Sequence, residues 1–321
     1  MQSRFGLILE RYVNIHPKKT FLMRARQDLH INRYAYLMVL PVVAYYLIFH
    51  YFPMYGAVIA FKRFSPHLGI IDSPWVGFTN FSLFFSSMYF WRVFKNTLII
   101  SLSTLFFGFP APIILALLLN ELRSSLYKRI AQTITYIPHF ISMVVISGMI
   151  VDFVSSEGII TEIFVFFGGD QQNLLQDASL FVPIYVISEI WQQVGWGTII
   201  YLAALSHIDP ELYEAATIDG AGRFRKIWSI TLPGISSTIV ILLILRLGGI
   251  MSVGFEKIFL LYNPMIYETS DVISTFVYRR GLLEMNWSFS TAVGLFNSIL
   301  NLCFIMGANF ISRRINDTKL W

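Results

Sequence analysis

Residues 211–233 read ELYEAATIDGAGRFRKIWSITLP, a charged, small-residue stretch set between two long apolar runs. Its local chemistry predicts two short helices with a break between them. Asp209 can cap a helix that begins at Pro210, since a proline at the first helical position is preorganised and forfeits no hydrogen bond. Glu211 falls in the first turn, where the positive end of the helix dipole favours a carboxylate. Leu212, Ala215 and Ala216 share one face at i, i+3 and i+4, and the two alanines leave that face flat enough for another backbone to approach. Gly220 suits a helix stop in the left-handed region. A second helix restarts near Arg223, with Phe224, Ile227 and Trp228 on its apolar side. Pro233 belongs to the first turns of the next apolar run or to a kink near its start. Such an element either lies on a membrane leaflet or docks a soluble partner.

The flanking runs set the fold class. Of 321 residues 55% are hydrophobic and 13% charged, against ~25% charged in soluble domains. Mean hydropathy is +0.61. A bilayer core of ~30 Å needs about 20 apolar helical residues. Six stretches meet that length, at about 34–61, 96–120, 130–151, 178–205, 227–255 and 287–312, and their only Asp, Glu, Lys or Arg residues are Glu189 and Arg246. The expectation is an all-α membrane protein with six transmembrane helices. It has a basic tail over 1–33, a transmembrane domain over 34–312 and a tail over 313–321. The first run is too long for a cleaved leader and lacks a small-residue cleavage site, so it reads as a retained span. The lone Cys303 lies inside a run and reads as a packing residue.

The formal net charge is +5 and the isoelectric point about 9.2. In a soluble protein this balance would suggest nucleic acid; here the distribution of charge explains it. Arg4, Arg11, Lys18, Lys19, Arg24, Arg26, Arg33, Arg123, Lys128, Arg129, Arg223, Arg225, Lys226, Arg313, Arg314 and Lys319 fall on one side of the six-span topology, 16 of the 24 basic residues. The loop 152–177 on the other side holds Asp152, Glu157, Glu162, Asp170 and Asp177 with no Lys or Arg. Positive charge collects in cytoplasmic loops, so both termini and the segment 209–228 are expected in the cytoplasm. GIITEIFVFFGG, within the acidic loop, is too short to span and is expected at the outer surface. The basic N-terminal tail reads as an anchor drawn to anionic lipid, not as a nucleic-acid arm.

The spacing Glu214-Ala215-Ala216, Gly220, Ile230 and Leu232-Pro233 resembles the signature of ABC importer permeases, with Asp219 and Ala221 completing the Asp-Gly-Ala triplet of the sugar-importing branch. TYIPHFIS at 135–142, YFPMYGAVIAFKRF at 51–64 and FEKIFLLYNP at 255–264 resemble its polysaccharide- and oligosaccharide-importing lineage, of the maltose type. The resemblance implies a type I importer fold in a bacterial cytoplasmic (inner) membrane. It makes 209–228 a cytoplasmic coupling helix between spans four and five. Glu214 would pair with a basic residue of an ATP-binding subunit, Ala215 and Ala216 would form the close-packing face, and Gly220 would set the bend, with Asp219 beside it in the coupling segment. The implied partners are a homologous second permease, a dimer of ATP-binding subunits and an extracytoplasmic binding protein that delivers an oligosaccharide.

The chain carries little chemistry of its own. No Gly is followed by Lys, so the phosphate-cradling loop is absent. ATP and magnesium belong to the partner ATPase. No His pair, Cys pair or nucleophile elbow marks a metal site or an enzyme. The candidate substrate path is therefore read from polar residues within spans: Glu189, Trp191, Gln192, Gln193, Trp196, Arg246, Asn297 and Asn301. A charge in mid-span costs roughly 2.5–3.5 kcal/mol on insertion scales, so it faces a cavity or a partner. Arg246 either pairs with Glu189, snorkels outward, or lines an electropositive path suited to acidic sugars. Aromatic rings stack on sugars and amides bond hydroxyls, yet Trp also sits at interfaces and amides also join helices. Asn297 and Asn301, at i and i+4, line a cavity or lock the last span to a neighbour. A permease for a different small polar solute and a carrier driven by an ion gradient are the alternatives. Only Glu189 and Arg246 would serve ion coupling, which disfavours the second.

Overall fold

A computed structural model describes residues 29–315. Residues 1–28 and 316–321, and with them most of the two expected tails, lie outside the described residues. Among the described residues every regular element is helical, and strand pairing is confined to two isolated bridges, Lys62 with Trp75 and Ser65 with Gly69.

The chain divides into two units, Met1–Val58 and Ile59–Trp321. In the first, helix α1 (Arg33–Tyr46) has no buried residue and continues through a π turn at Leu47–Tyr51. The turn lies two residues before Pro53. Proline lacks the N–H that would bond four residues back and its ring crowds that carbonyl, so the helical ladder widens there. The same spacing recurs at Thr104–Gly108 before Pro110 and at Ile227–Thr231 before Pro233.

The second unit runs through α2 (Thr79–Phe85), α3 (Phe90–Asn120), α4 (Ser125–Phe140), α5 (Met143–Phe153), α6 (Ile159–Phe166), α7 (Phe181–Leu205), α8 (Pro210–Ile218), α9 (Arg223–Gly234), α10 (Ser236–Gly248), α11 (Phe255–Leu261), α12 (Ile273–Tyr278) and α13 (Trp287–Ile315). Among the described residues three helices are long and apolar enough to cross a bilayer: Arg33–Phe61, α3, and α13 over Trp287–Phe310. The count becomes five if each of two bent pairs is one span.

The bends fall inside stretches that hydropathy reads as continuous. Helices α4 and α5 meet at 102°. Pro138 stands in the last turn of the first, and the Ser142 hydroxyl starts the second by accepting the Val145 N–H at 3.4 Å. Helices α9 and α10 meet at 61°, just after Pro233-Gly234, and α10 stops at Gly248. A turn over 249–254 separates it from α11. Helix α7 has 25 residues, about 37 Å at 1.5 Å per residue, but its polar side chains keep it below the apolar helices.

Helix α7 is central to the packing of the unit. A side chain at Gly195 would run into the Thr135 carbonyl, so only glycine lets α7 approach α4 this closely. Thr198 donates from Oγ1 to the Pro112 carbonyl of α3 at 3.2 Å. One apolar cluster joins Ile100, Ile146, Ile150, Phe181, Tyr185 and Ile258. A second, rich in rings, holds Phe84, Phe276, Phe289 and Val293.

A fully buried carboxylate ties the segment before α12 to the start of α3. Asp271 pairs with Arg92 at 3.1 Å and Arg279 at 2.6 Å, and accepts the Thr275 hydroxyl at 2.8 Å. Asn96 donates to the Asp271 and Glu268 carbonyls. Burial opposes the charge on Arg279, but the Asp271 hydrogen bond and charge outweigh it and hold the guanidinium above its ordinary value.

Candidate functional site

Two regions stand out: the surface element around α8 and a polar cavity beside α7. In the first, Asp209 accepts the Glu211 N–H at 2.9 Å, capping α8. Gly220 adopts φ +74°, and the Ala221 N–H reaches back to the Ala216 carbonyl at 2.8 Å. This is the left-handed stop that orphan carbonyls at a helix end require, and a side chain there would be strained. The Tyr213 hydroxyl meets Thr231 Oγ1 at 3.0 Å and the Lys226 ammonium donates to Thr217 at 2.7 Å, which fold α8 against α9. Glu214, Ala215, Asp219 and Gly220 are exposed and Ala216 is half-buried. Beside them, Ile218 is 86% and Phe224 81% exposed. Among the described residues Glu214 makes no ion pair. The element thus presents an apolar, flat surface on which the exposed Glu211, Glu214 and Asp219 carboxylates make no ion pair among the described residues.

The cavity has a volume of about 470 Å³, within the ~300–1,000 Å³ of small-ligand sites. Thr104 and Pro112 of α3, Glu189, Gln193 and Trp196 of α7, and Arg246 of α10 line it. A smaller chamber of about 180 Å³ is also lined by Glu189 and Arg246, together with Ser101, Tyr185 and Ser252. Positions 189, 193, 196, 197 and 200 lie on one helical face, which is why one side of α7 supplies the wall. Trp196 stacks on His139 at 4.5 Å between ring centres and 4° between planes. His139 Nδ1 also lies 2.9 Å from Gln193 Oε1. His139 thereby holds both side chains at the wall. Sequence reasoning missed its role, although TYIPHFIS carried it as a motif residue.

Glu189 does not pair with Arg246. Its carboxylate is 3.1 Å from the Lys257 ammonium of α11, and Arg246 makes no ion pair among the described residues. Arg246 is exposed to both chambers.

The other sequence-derived residues stand elsewhere. Trp191 lies on the opposite face of α7, in an apolar recess with Phe153, Ile160 and Ile187. Gln192 is 3% exposed, and its Oε1 is buried without a hydrogen-bond partner. Asn297 borders a groove with Phe255, Tyr278 and Trp287. Asn301 accepts the Met251 N–H at 2.9 Å and donates to Ser252 Oγ at 3.0 Å, joining α13 to the turn after α10.

Comparison with known proteins finds relatives along most of the chain. Residues 108–317 match the family described as binding-protein-dependent transport system inner membrane component. The chain is 46% identical over 291 residues to Protein LplB of Bacillus subtilis (strain 168), covering 90% of this chain and 92% of that one. It is also 46% identical to the polygalacturonan/rhamnogalacturonan transport system permease protein YteP of Bacillus subtilis (strain 168), covering 90% and 91%. A chain in the crystal structure of a bacterial ABC transporter involved in import of the acidic polysaccharide alginate is similar at TM-score 0.84 and 45% identity, covering 91% of this chain and 99% of that one. A chain in the crystal structure of a bacterial alginate ABC transporter in complex with alginate pentasaccharide-bound periplasmic protein is similar at TM-score 0.84 and 44% identity, covering 92% of this chain and 99% of that one.

Proposed function

Because this chain belongs to the binding-protein-dependent transport inner membrane component family, we propose that it carries an acidic oligosaccharide across the membrane as one permease of an ATP-driven importer. The observation that carries the substrate class is Arg246: an exposed guanidinium without an ion-pair partner among the described residues, facing a cavity with Trp196 and Gln193. A guanidinium matches a sugar carboxylate in shape and charge, an indole face stacks on the ring, and an amide bonds hydroxyls. The acidic polysaccharides named for the similar proteins support the same class.

In this reading α7 is a membrane span whose polar face lines the path, and each bent pair is one span, making six. The termini and α8 face the cytoplasm. Helix α8 is the coupling helix: Ala215 and Ala216 seat against an ATP-binding subunit, Glu214 pairs with a basic residue there, and Asp219 and Gly220 hold the bend. ATP and magnesium are bound by that subunit. A homologous second permease completes the path, and an extracytoplasmic binding protein delivers the sugar. ATP-driven closure of the ATPase pair draws the coupling helices together and opens the cavity outward; hydrolysis resets it.

The test is reconstitution of the full importer in vesicles, with ATPase activity measured as the loaded binding protein is added. Stimulation by oligogalacturonates and not by neutral oligosaccharides of the same length is expected. Equal stimulation by both would remove the acidic assignment.

A further inference from the structure

We infer that Lys257 sets the charge selectivity of the cavity by neutralising Glu189 from behind, leaving Arg246 free to meet an anionic sugar. The inference rests on the acidic substrate proposed above and adds a residue that does not itself line either chamber.

Lys257 is 1% exposed. Its ammonium lies 3.1 Å from Glu189 Oε2, 3.5 Å from the Tyr185 carbonyl and 5.1 Å from the centre of the Tyr185 ring. Its donors are thus directed at one carboxylate oxygen, one carbonyl and one ring face. A buried ion pair is weak evidence for stability, because an apolar pair of similar volume is often as stable. Its effect on the neighbouring cavity is more distinctive. Glu189 retains 19% of its side-chain exposure and lines both chambers, as does Arg246. Among the described residues these two are the acidic and basic groups on the chamber walls. Without Lys257 their charges would cancel, and the carboxylate would be free to turn towards Arg246. With Lys257 attached, the Glu189 side is neutral and the wall carries one net positive charge. In a partly dry cavity that difference acts with little screening.

The position of Lys257 supports the assignment. It sits on α11, beyond the 249–254 turn that ends α10, so the ion pair couples the far side of that turn to the face of α7 that carries the wall. Lys257 is a positioning residue and acts through Glu189.

The experiment uses the complete importer in vesicles. It measures the ratio of oligogalacturonate uptake to uptake of the methyl-esterified, uncharged form, each at the concentration that half-saturates the binding protein. Lys257→Met is expected to lower that ratio on the order of tenfold, the size of one partly screened charge interaction. Lys257→Arg should keep it. Lys257→Met with Glu189→Gln should restore it, since removing both charges again leaves Arg246 uncompensated. The double variant also leaves no buried charge unpaired, so it keeps the test open if the single variant fails to reach the membrane. A purely structural pin predicts that Lys257→Met lowers both uptakes alike and leaves the ratio unchanged; that result, or a double variant with a low ratio, overturns the inference. A wild-type ratio near one overturns the acidic substrate itself, which distinguishes failure of that reading from failure of this one.

Discussion

The α8 element and the cavity beside α7 are built in opposite ways. The first is local: Asp209, Pro210, Gly220 and Ala221 cap, start and stop one helix within a dozen residues, and each bond spans a few positions. The second is assembled from α3, α7 and α10, with His139 of α4 bracing two wall residues, and the charge on its wall is set by a lysine that is not part of the wall. A local element tolerates loss of one cap, and in the docking role proposed for it the surface charge carries the function. An assembled cavity depends on close helix approach and on charges whose partners lie far away in sequence.

Four substitutions probe this contrast, in falling order of expected effect. Glu214→Lys reverses the charge of an exposed, unpaired carboxylate beside the Ala215-Ala216 face of α8. Uptake should fall to background while membrane abundance stays at the wild-type level, as seen by immunoblot beside transport; wild-type uptake would end the docking role. Gly195→Val places branched atoms against the Thr135 carbonyl. Overpacking of this kind costs about 1–3 kcal/mol or more. The thermal midpoint of the solubilised complex should drop, and uptake of acidic and esterified sugars should fall together. An unchanged midpoint would mean that α4 and α7 need not approach so closely. Arg246→Ala removes the free charge but leaves the packing. Uptake of oligogalacturonate should fall about tenfold and that of its ester much less; an equal fall in both would show that the guanidinium does not read charge. Asp209→Ala removes an N-cap worth about 1 kcal/mol. Hydrogen exchange over 210–218 should rise slightly and uptake should change less than twofold. A large loss of uptake here would break the contrast, by making the local element as sensitive as the assembled one.

The legibility of the two regions follows from the same difference. Capping, dipole and left-handed stop are chemistry of near neighbours, so the order Asp209, Pro210, Gly220, Arg223 was readable without any tertiary contact. Periodicity likewise puts Glu189, Gln193 and Trp196 on one face of α7. What periodicity lacks is the identity of the opposing surface. Trp191 and Gln192 were equally good candidates by composition, yet the helix turns one into an apolar recess and buries the other. Asn301 suited either a path or a lock until Met251 and Ser252 appeared opposite it. The bend at Pro138 was hidden for another reason: hydropathy measures the cost of leaving water and does not depend on the direction of the chain, whereas Pro233 offered a kink as one of two readings.

By itself, the sequence determined that this is a helical membrane protein lacking the Gly-Lys phosphate-loop motif, with a capped and Gly-broken helix at 209–228 and two charges inside apolar runs. Those properties follow from solvation and from hydrogen bonds between residues close in the chain. Tertiary structure alone decided that Glu189 pairs with Lys257, 68 residues away, and not with Arg246. A buried charge takes the partner that the fold brings within hydrogen-bond reach, and that reach depends on how α7 and α11 pack.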